Sequence, residues 1–188
     1  MKVAVVSIAK NEAKHVKRWA DSARDADMMV ILDTGSEDDT VALAKEAGVT
    51  VHHHVFNPWR FDVARNHLLD LLPDDIDWVI NLDLDEVLVP GWREHLELVP
   101  ENTNAPRYKF VFAINPDGSE GLTFDGYKIH RRFSHRWVNA VHEVMFSVVP
   151  EVQSYMPVFQ INHMQDHSKS RAQYLDLLKM SVDEDPDN

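Results

Sequence analysis

The sequence predicts an α/β fold in which a mainly parallel sheet is flanked by helices. Short apolar runs rich in β-branched residues recur at 3–8, 28–32, 49–55 and 78–82, as expected for strands that are covered on both faces. Helical segments separate these runs, so the strand–helix–strand crossovers should be right-handed and the neighbouring strands parallel. Ligands of such sheets bind beyond the carboxyl ends of the strands, which is where functional residues are sought.

The helices between the strands have their own sequence signals. Apolar residues around Trp19 follow the i, i+3, i+4 spacing of a helix with one buried face. Ser36 followed by Asp39 predicts a capping box at the start of the second helix, and Gly48 is placed to end that helix in a left-handed conformation. A third helix is expected at 61–72.

The second half of the chain has a different pattern, and we expect one domain, 1–188, composed of two parts. Residues 1–99 form the α/β part, and residues 100–188 form a part with mixed or antiparallel strands and a final helix. The strands of this second part are expected at 108–114, 122–133, 144–149 and 158–162, and the helix at 168–180.

Composition excludes several functional classes. The 188 residues include 19 basic and 31 acidic side chains, a formal net charge of −12, which repels nucleic-acid phosphates. There is no cysteine, so a metal must be held by carboxylates, histidines or carbonyls. No apolar run reaches the length of about 20 residues that spans a bilayer, and the apolar start lacks a signal-peptide cleavage site. We therefore expect a cytoplasmic protein with no transmembrane segment and no nucleic-acid partner.

Two aspartates directly after the fourth predicted strand, Asp83 and Asp85, are the principal candidate site. If the chain is extended there, the two carboxylates face the same side and repel each other unless a cation joins them. Mg²⁺ and Mn²⁺ accept such oxygen ligands and leave positions open for phosphate. The alternative is a pair of aspartates that caps the following turn.

Arg65 is a candidate on independent grounds. On the predicted third helix it lies within the apolar stripe that Ala64 and Leu68 help to form. Arginine is seldom buried without an anionic partner, so a diphosphate or one of the strand-end aspartates is expected beside it. A purely structural arginine–aspartate pair is the alternative.

Four blocks of sequence, taken together, resemble the family-2 glycosyltransferases. They occur in the family's order, within the first half of the chain: VSIAKNE at 6–12, ILDTGSEDDT at 31–40, ARN at 64–66 and LDLDE at 82–86. The resemblance implies a GT-A fold with a nucleotide-sugar-binding half at 1–99. It implies a hexosyltransferase-type enzyme, inverting by family tendency, that uses a nucleotide-diphosphate sugar, most often UDP-linked, and Mn²⁺ or Mg²⁺. The acceptor is then a carbohydrate or another hydroxyl compound.

The resemblance also assigns roles to residues of the first half. Ser7 and Ala9 match the lip of the nucleotide pocket, with Asn11 in the same strand-end loop. Asp33 matches the aspartate that hydrogen-bonds the base, although Thr34 replaces the commoner second aspartate of that turn. The last block makes Asp83 the residue near the ribose and the metal, and Asp85 the direct metal ligand.

In the second half, the segments 132–133 and 141–143 resemble the acceptor side of the family. An inverting transferase needs a base for the acceptor hydroxyl, and we choose Glu143, with Asp125 and Asp166 as alternatives. His163 ends the last predicted strand, where related enzymes often supply a third metal ligand, although a structural histidine is equally expected. Two basic residues downstream, Lys169 and Arg171, are candidates for contacting the donor phosphates.

Three rival functions are weighed against this one. A sugar nucleotidyltransferase needs a glycine- and arginine-rich loop after the first strand, yet residues 7–12 contain no glycine. A dinucleotide dehydrogenase is disfavoured because G-x-G-x-x-G is absent. A non-catalytic nucleotide- or sugar-binding module derived from the same fold remains an alternative, and it would bind nucleotide without releasing product.

Overall fold

A computed structural model describes residues 1–166, 177–179 and 182 of the chain. Most of the final helix expected at 168–180 lies outside these residues. Lys169 and Arg171, the candidates for contacting the donor phosphates, also lie outside them. Within the described part, no helix is both long enough and apolar enough to span a bilayer.

The predicted parallel sheet is confirmed. Four parallel strands lie in the order β3-β2-β1-β4, and a fifth, β8, pairs antiparallel with β4 at one edge. The central strand β1 is buried along nearly its whole length, as expected for a strand with helices on both faces. The bounds are β1 Val3–Ala9, β2 Met28–Asp33, β3 Thr50–His53, β4 Trp78–Asn81 and β8 Ile129–Arg131.

Three helices connect the parallel strands: α1 Ala13–Ser22, α2 Thr40–Glu46 and α3 Phe61–Asp70. The capping box predicted at Ser36 is wrong, because α2 begins only at Thr40. The Ser36 hydroxyl instead accepts a hydrogen bond from the Asn11 N–H at 2.9 Å, which ties the loop after β2 to the loop after β1. Gly48 has a φ of 80° just beyond α2, as predicted for the residue that ends this helix.

Alternation along the strands separates two apolar clusters. On one face of the sheet, Val5 and Ile31 pack in a cluster that includes Trp19 of α1. On the other face, Val6 and Leu32 pack with apolar residues of α3. Because successive side chains of a strand point to opposite faces, each strand contributes apolar residues to both clusters. This explains why the strands are continuous apolar runs in the sequence.

The chain changes sheet where one long strand was expected. Residues 122–133 were predicted as a single returning strand, but they form β7 (Thr123–Gly126) and β8, which belong to different sheets. The break falls at Tyr127 and Lys128, which places Lys128 between the two sheets. Local alternation cannot reveal this break, because each half remains a valid strand.

The second half contributes three strands to a four-stranded mixed sheet in the order β5-β11-β6-β7, whose edge strand β5 comes from the first half, and it also forms a two-stranded sheet, β9 with β10. The helix α4 and the strands β5 and β9 were not predicted. The bounds are β5 Glu86–Leu88, α4 Trp92–Glu97, β6 Ala105–Val111, β9 His135–Val138, β10 Val144–Ser147 and β11 Gln153–His163.

His130 on β8 makes the stability of this fold sensitive to acid. Its side chain is 1% exposed, and burial lowers its pKa from the ordinary 6.5 to about 3. The folded protein therefore keeps this imidazole neutral at pH values where the unfolded chain binds a proton. The free energy of unfolding should fall as the pH decreases from about 6.5 towards 3.

We predict that His130→Asn weakens this pH dependence. Asparagine can still donate a hydrogen bond to the Arg131 carbonyl, which the His130 Nδ1 meets at 2.8 Å, but it does not titrate. Urea unfolding at several pH values between 4 and 7 should show a shallower loss of stability in the variant than in the wild type. Equal slopes for the two proteins would rule out His130 as the source.

Candidate active site

The predicted site residues of the first half converge at the carboxyl end of the parallel sheet, but the chain turns sharply there. The Glu86 N–H donates to the Asp83 carbonyl at 2.8 Å, which closes a turn around Leu84 and Asp85. The premise that the two aspartates share one side of an extended strand is therefore wrong. Asp83 and Asp85 instead meet different partners.

Arg65 is buried between two carboxylates, as its position in the apolar stripe of α3 predicts. It is only 7% exposed. Its NH2 group donates to Asp83 Oδ1 at 2.8 Å, and its Nε donates to Glu143 Oε1 at 2.9 Å. Its guanidinium carbon lies 4.7 Å from the ring centre of Trp137. One arginine therefore joins the strand-end aspartate to the glutamate chosen as the base, although the two carboxylates are 60 positions apart in the sequence.

Lys128 is a site residue that the sequence did not reveal. Its Nζ donates to Asp83 Oδ2 at 2.7 Å and to Glu86 Oε1 at 2.5 Å. The Asp83 side chain thus accepts a hydrogen bond from a cation at each of its two oxygens. The only sequence signal was a lone lysine inside a predicted strand, which ordinarily means a solvated face. The change of sheet at this residue directs it inward instead.

Burial and charge compete within this cluster, and the outcome differs between groups. Burial opposes the charge on Asp83, but the nearby Arg65 and Lys128 outweigh it and hold the pKa of Asp83 well below its usual range. Burial likewise opposes the charge on Lys128, yet Asp83 and Glu86 raise its pKa. Burial, reinforced by the neighbouring Asp83, raises the pKa of Glu86 to about 7, although Lys128 offsets part of the effect. The cluster thus holds Arg65, Lys128 and Asp83 charged at neutral pH.

Asp85 and His163, the two residues predicted as metal ligands besides Asp83, lie beside each other. His163 Nε2 lies 3.6 Å from Asp85 Oδ2, and His163 Nδ1 lies 3.2 Å from the carbonyl of Phe112. The interaction with the Asp85 carboxylate, partly opposed by burial, raises the pKa of His163. Among the described residues, no group of three or more such side chains is placed to hold a metal. A cation here would need further oxygens from phosphate or water, as Mg²⁺ commonly does.

Asp33 is buried at the end of β2, where its carboxylate organises the following turn. It accepts hydrogen bonds from the backbone N–H groups of Gly35 and Ser36 and lies 2.7 Å from Nδ1 of His53. Burial opposes its charge, but the hydrogen bonds from Ser36, His53 and Gly35 outweigh burial and lower the pKa of Asp33. His53 was not predicted as a site residue, because the parallel pairing of β2 with β3 is what brings it to Asp33.

The loop after β1 is fastened to the loop after β2. The Asn11 side-chain oxygen accepts from the Glu37 N–H at 2.8 Å, and the Ala9 carbonyl accepts from the Thr34 N–H, also at 2.8 Å. Asn11 has a φ of 57°, a left-handed conformation that asparagine tolerates better than most residues. Ser7 is buried inside β1, and its hydroxyl donates to the Ile8 carbonyl at 3.2 Å. Asn11 therefore lies in the exposed loop after β1, whereas Ser7 lies within the strand.

The two alternative bases have different surroundings from Glu143. Asp125 is exposed on β7. Asp166 pairs with Lys14 and lies 3.4 Å from His15 Nε2, which joins the end of the described segment to α1. Glu143 alone among the three contacts Arg65, and it directly follows His142, whose φ of 53° is unusual for a residue other than glycine or asparagine.

A cavity of about 330 Å³ opens beside the two aspartates. Residues of the mixed sheet and of the turn after β4 form its walls. Its lining combines acidic and basic side chains with several aromatic rings: Asp83, Asp85, Glu86, Tyr108, Phe110, Phe112, Phe124, Gly126, Tyr127, Lys128 and His163.

Comparison with known proteins gives this geometry a context. The profile of the family described as Glycosyl transferase family 2 matches residues 4–139, which is well over half of the chain. An uncharacterized glycosyltransferase of Rickettsia conorii is 33% identical over 108 residues, which are 57% of this chain and 37% of that protein. A TPR repeat-containing protein of Synechococcus elongatus is 36% identical over 96 residues, 49% of this chain and 23% of that protein. The matched region therefore spans well under half of either relative.

Two solved structures superpose on part of this chain. Staphylococcus aureus TarS superposes with a TM-score of 0.52 at 16% identity, covering 65% of this chain and 23% of TarS. A glucosyl-3-phosphoglycerate synthase of Mycobacterium tuberculosis, solved with Mn²⁺, uridine diphosphate and glucosyl-3-phosphoglycerate, gives a TM-score of 0.47 at 25% identity. It covers 58% of this chain and 44% of the synthase. The likeness to TarS supports the predicted GT-A architecture, a mainly parallel sheet with a second mixed sheet.

We predict that Arg65→Met destabilises the protein by about 3–5 kcal/mol, because it leaves two carboxylates without their shared cation. Arg136→Met is the matched control, since Arg136 forms an exposed ion pair with Asp70 at 2.6 Å. Such a pair contributes only about 0–1 kcal/mol. Urea unfolding followed by tryptophan fluorescence measures both, and equal losses of stability would mean that the Arg65 bridge is unimportant for folding.

Proposed function

This chain belongs to glycosyl transferase family 2, and from that premise we propose that it transfers a hexose from a UDP-linked donor to an acceptor hydroxyl, assisted by Mn²⁺ or Mg²⁺. One arrangement carries the proposal. The two aspartates after β4 have different partners. Asp85 lies beside His163, and we assign this pair to the cation. Arg65 joins Asp83 to the candidate base Glu143. The proposed metal ligand Asp85 is thus only two positions from Asp83, which is linked to the proposed base.

Donor recognition is assigned to the ends of β1 and β2. Asp33 offers a buried carboxylate to a nucleobase N–H, and hydrogen bonds from its own turn hold that carboxylate in place. Asn11 forms part of the rim of the proposed nucleotide pocket, and Ser7 and Ala9 lie in the strand beneath it. Asp83 lies next to this region because the Leu82 N–H donates to the Val6 carbonyl at 3.0 Å, which fixes the end of β4 beside β1. We assign Asp83 to the ribose side of the donor.

The cation is assigned to Asp85 and His163, with donor phosphate oxygens and water as its remaining ligands. Its chemical contribution when bound is Lewis-acid stabilisation of the departing diphosphate. The sequence predicts Asp83 as a further ligand, and in the structure Arg65 and Lys128 contact its two oxygens. We therefore propose that Asp83 holds the side chains of Arg65 and Lys128 beside the donor, where their positive charge also favours a diphosphate.

Glu143 is assigned as the general base. Its carboxylate takes the proton of the acceptor hydroxyl while the hydroxyl oxygen forms a bond to the anomeric carbon of the sugar. The bond from that carbon to the diphosphate breaks, and the diphosphate leaves with the electron pair. Arg65 orients Glu143 through a single hydrogen bond at 2.9 Å. A direct displacement of this kind inverts the anomeric carbon, as the resemblance implies.

The chain is proposed to work as one domain with a division of tasks. Residues 1–99 bind the donor, and the strands of 100–188 form the acceptor side, because Glu143 and the walls of the cavity come mainly from that part. The aspartate turn after β4 lies where the two parts meet.

We predict that UDP binds in the presence of Mn²⁺ and loses most of its affinity in excess EDTA. Asp85→Asn should remove the metal-dependent gain, by at least about tenfold in Kd, because a ligand of the cation is lost. Asp25→Asn is the matched control, since Asp25 belongs to another D-x-D sequence that is exposed and remote from the site. Calorimetric titration with UDP, and with GDP for comparison, measures each effect.

Two outcomes of this titration would contradict the proposal. Wild-type affinity for UDP in Asp85→Asn would remove the metal assignment. Equal affinity for GDP would move the donor away from uridine, whereas a folded protein that binds neither nucleotide would indicate a degenerate module.

We predict that Glu143→Gln lowers kcat by about 10²–10⁴-fold while UDP affinity stays unchanged, because the amide cannot accept the acceptor's proton. Glutamine keeps the size of the side chain and an oxygen for Arg65. Glu120→Gln, an exposed glutamate paired with Lys109, serves as the control. If transfer survives in Glu143→Gln but is lost in Asp125→Asn or Asp166→Asn, the base lies elsewhere.

A further inference from the structure

Four rings form one side of the cavity beside the aspartates, and we refer to Phe110, Phe112, Phe124 and His163 as the aromatic wall. Phe124 lies 5.0 Å from Phe110 and 6.1 Å from Phe112 between ring centres. His163 lies 5.2 Å from Phe112 and 6.3 Å from Phe110. The four rings thus make a continuous surface that β6, β7 and β11 hold in place.

Two rings of the wall remain open to solvent. Phe112 is 37% exposed and Phe124 is 47% exposed, although both line a cavity. Exposed aromatic rings that cluster inside a concave site indicate a ligand surface more than scattered apolar residues do.

The other lining of the cavity is charged. Asp83, Glu86 and Lys128 contribute to it, and the Lys128 Nζ lies 5.7 Å from the centre of the Phe110 ring. These groups are joined to one another in ion pairs, but the carboxylates keep lone pairs and the ammonium group keeps an N–H, so a ligand with hydroxyl groups can hydrogen-bond to them. The cavity therefore has an apolar, flat side and a polar, charged side within a few ångströms of each other.

A pyranose ring matches this division. Its axial C–H bonds form an apolar face that is attracted to the negative face of an aromatic ring, while its hydroxyl groups point outward at the ring edge. A lipid chain in the same place would remove water from Asp83, Glu86 and Lys128 and offer no hydrogen bond to their remaining donor and acceptor positions, which is unfavourable. We propose that this cavity is the acceptor subsite and that the acceptor is a carbohydrate whose pyranose ring stacks on Phe112 and Phe124. This inference rests on the proposed transferase function.

The position of the wall favours the acceptor over the donor sugar. All four rings lie on β6, β7 and β11 or directly after β6, in the second half of the chain. The residues assigned to the nucleotide lie at the ends of β1 and β2. Asp85 and His163 line the same cavity as the other rings of the wall, so the proposed cation lies beside the wall.

Gly126 gives the cavity part of its shape. A Cβ atom at this position would lie 2.2 Å from the ring of Tyr108, which is fully buried on the paired strand. Only glycine therefore lets β7 approach β6 closely enough to bring Phe124 against Phe110.

The test uses the full chain loaded with UDP and Mn²⁺ and a set of small hydroxyl compounds as probes. Saturation-transfer NMR should detect methyl glycopyranosides, with the strongest signals from the C–H protons of one ring face. An aliphatic alcohol and N-acetylserine amide represent lipid and peptide acceptors and should bind more weakly. Phe112→Ala and Phe124→Ala should each weaken binding of the best pyranoside by about fivefold, the order expected for one aromatic contact. Phe146→Ala, an equally conservative change at an exposed position on β10, should have no effect.

Several results would overturn the inference. Pyranoside binding that is the same in Phe112→Ala, Phe124→Ala and the wild type would show that the wall is not the subsite. Tighter binding of the aliphatic alcohol would assign the cavity to a lipid acceptor. If the two variants instead lose affinity for a UDP-sugar but not for UDP, the wall binds the donor sugar. These outcomes differ from a failure of the proposed function, which the absence of metal-dependent UDP binding by the wild-type protein would reveal.

Discussion

The rest of the site depends on the buried bridge made by Arg65. One guanidinium satisfies Asp83 at the end of β4 and Glu143 in the loop before β10, so it fixes two parts of the chain that no strand pairing joins. Removing such a cation from the interior leaves uncompensated charges, and this cost holds the loop in place against the entropy of its residues. Lys128 extends the bridge to Glu86. Five ionisable side chains thus support one another in a region where none of them would be stable alone.

This constraint explains the division of roles between the two aspartates. The turn closed by the Glu86 N–H directs Asp83 towards the cations of the interior and leaves Asp85 beside His163. Arg65 and Lys128 compensate the charge of Asp83, so this carboxylate stays ionised although Glu86 lies nearby. The aromatic wall adjoins the same turn through His163, so the proposed cation and acceptor positions share a side chain.

Placement of the site follows from a general property of parallel sheets. The crossover connections bring the carboxyl ends of β1, β2 and β4 to one edge, where Asn11, Asp33 and Asp83 emerge. Loops at such an edge are free to carry polar residues because the buried strands behind them supply the stability. The mixed sheet then encloses this edge from the second half of the chain, which accounts for a cavity with an aromatic side and a charged side.

The sequence by itself determined the parallel sheet, the order of its helices, the burial of Arg65 and the family. Each of these can be recognised from local periodicity or from short sequence motifs. The sequence did not determine the turn at Asp83–Glu86, the division of 122–133 between two sheets or the inward position of Lys128. Those features arise from pairing between residues far apart in the chain, such as β4 with β8, where the tertiary contacts outweigh local preference. Tertiary structure alone therefore decided which charges meet, because an ion pair depends on distance in space and leaves no period in the sequence.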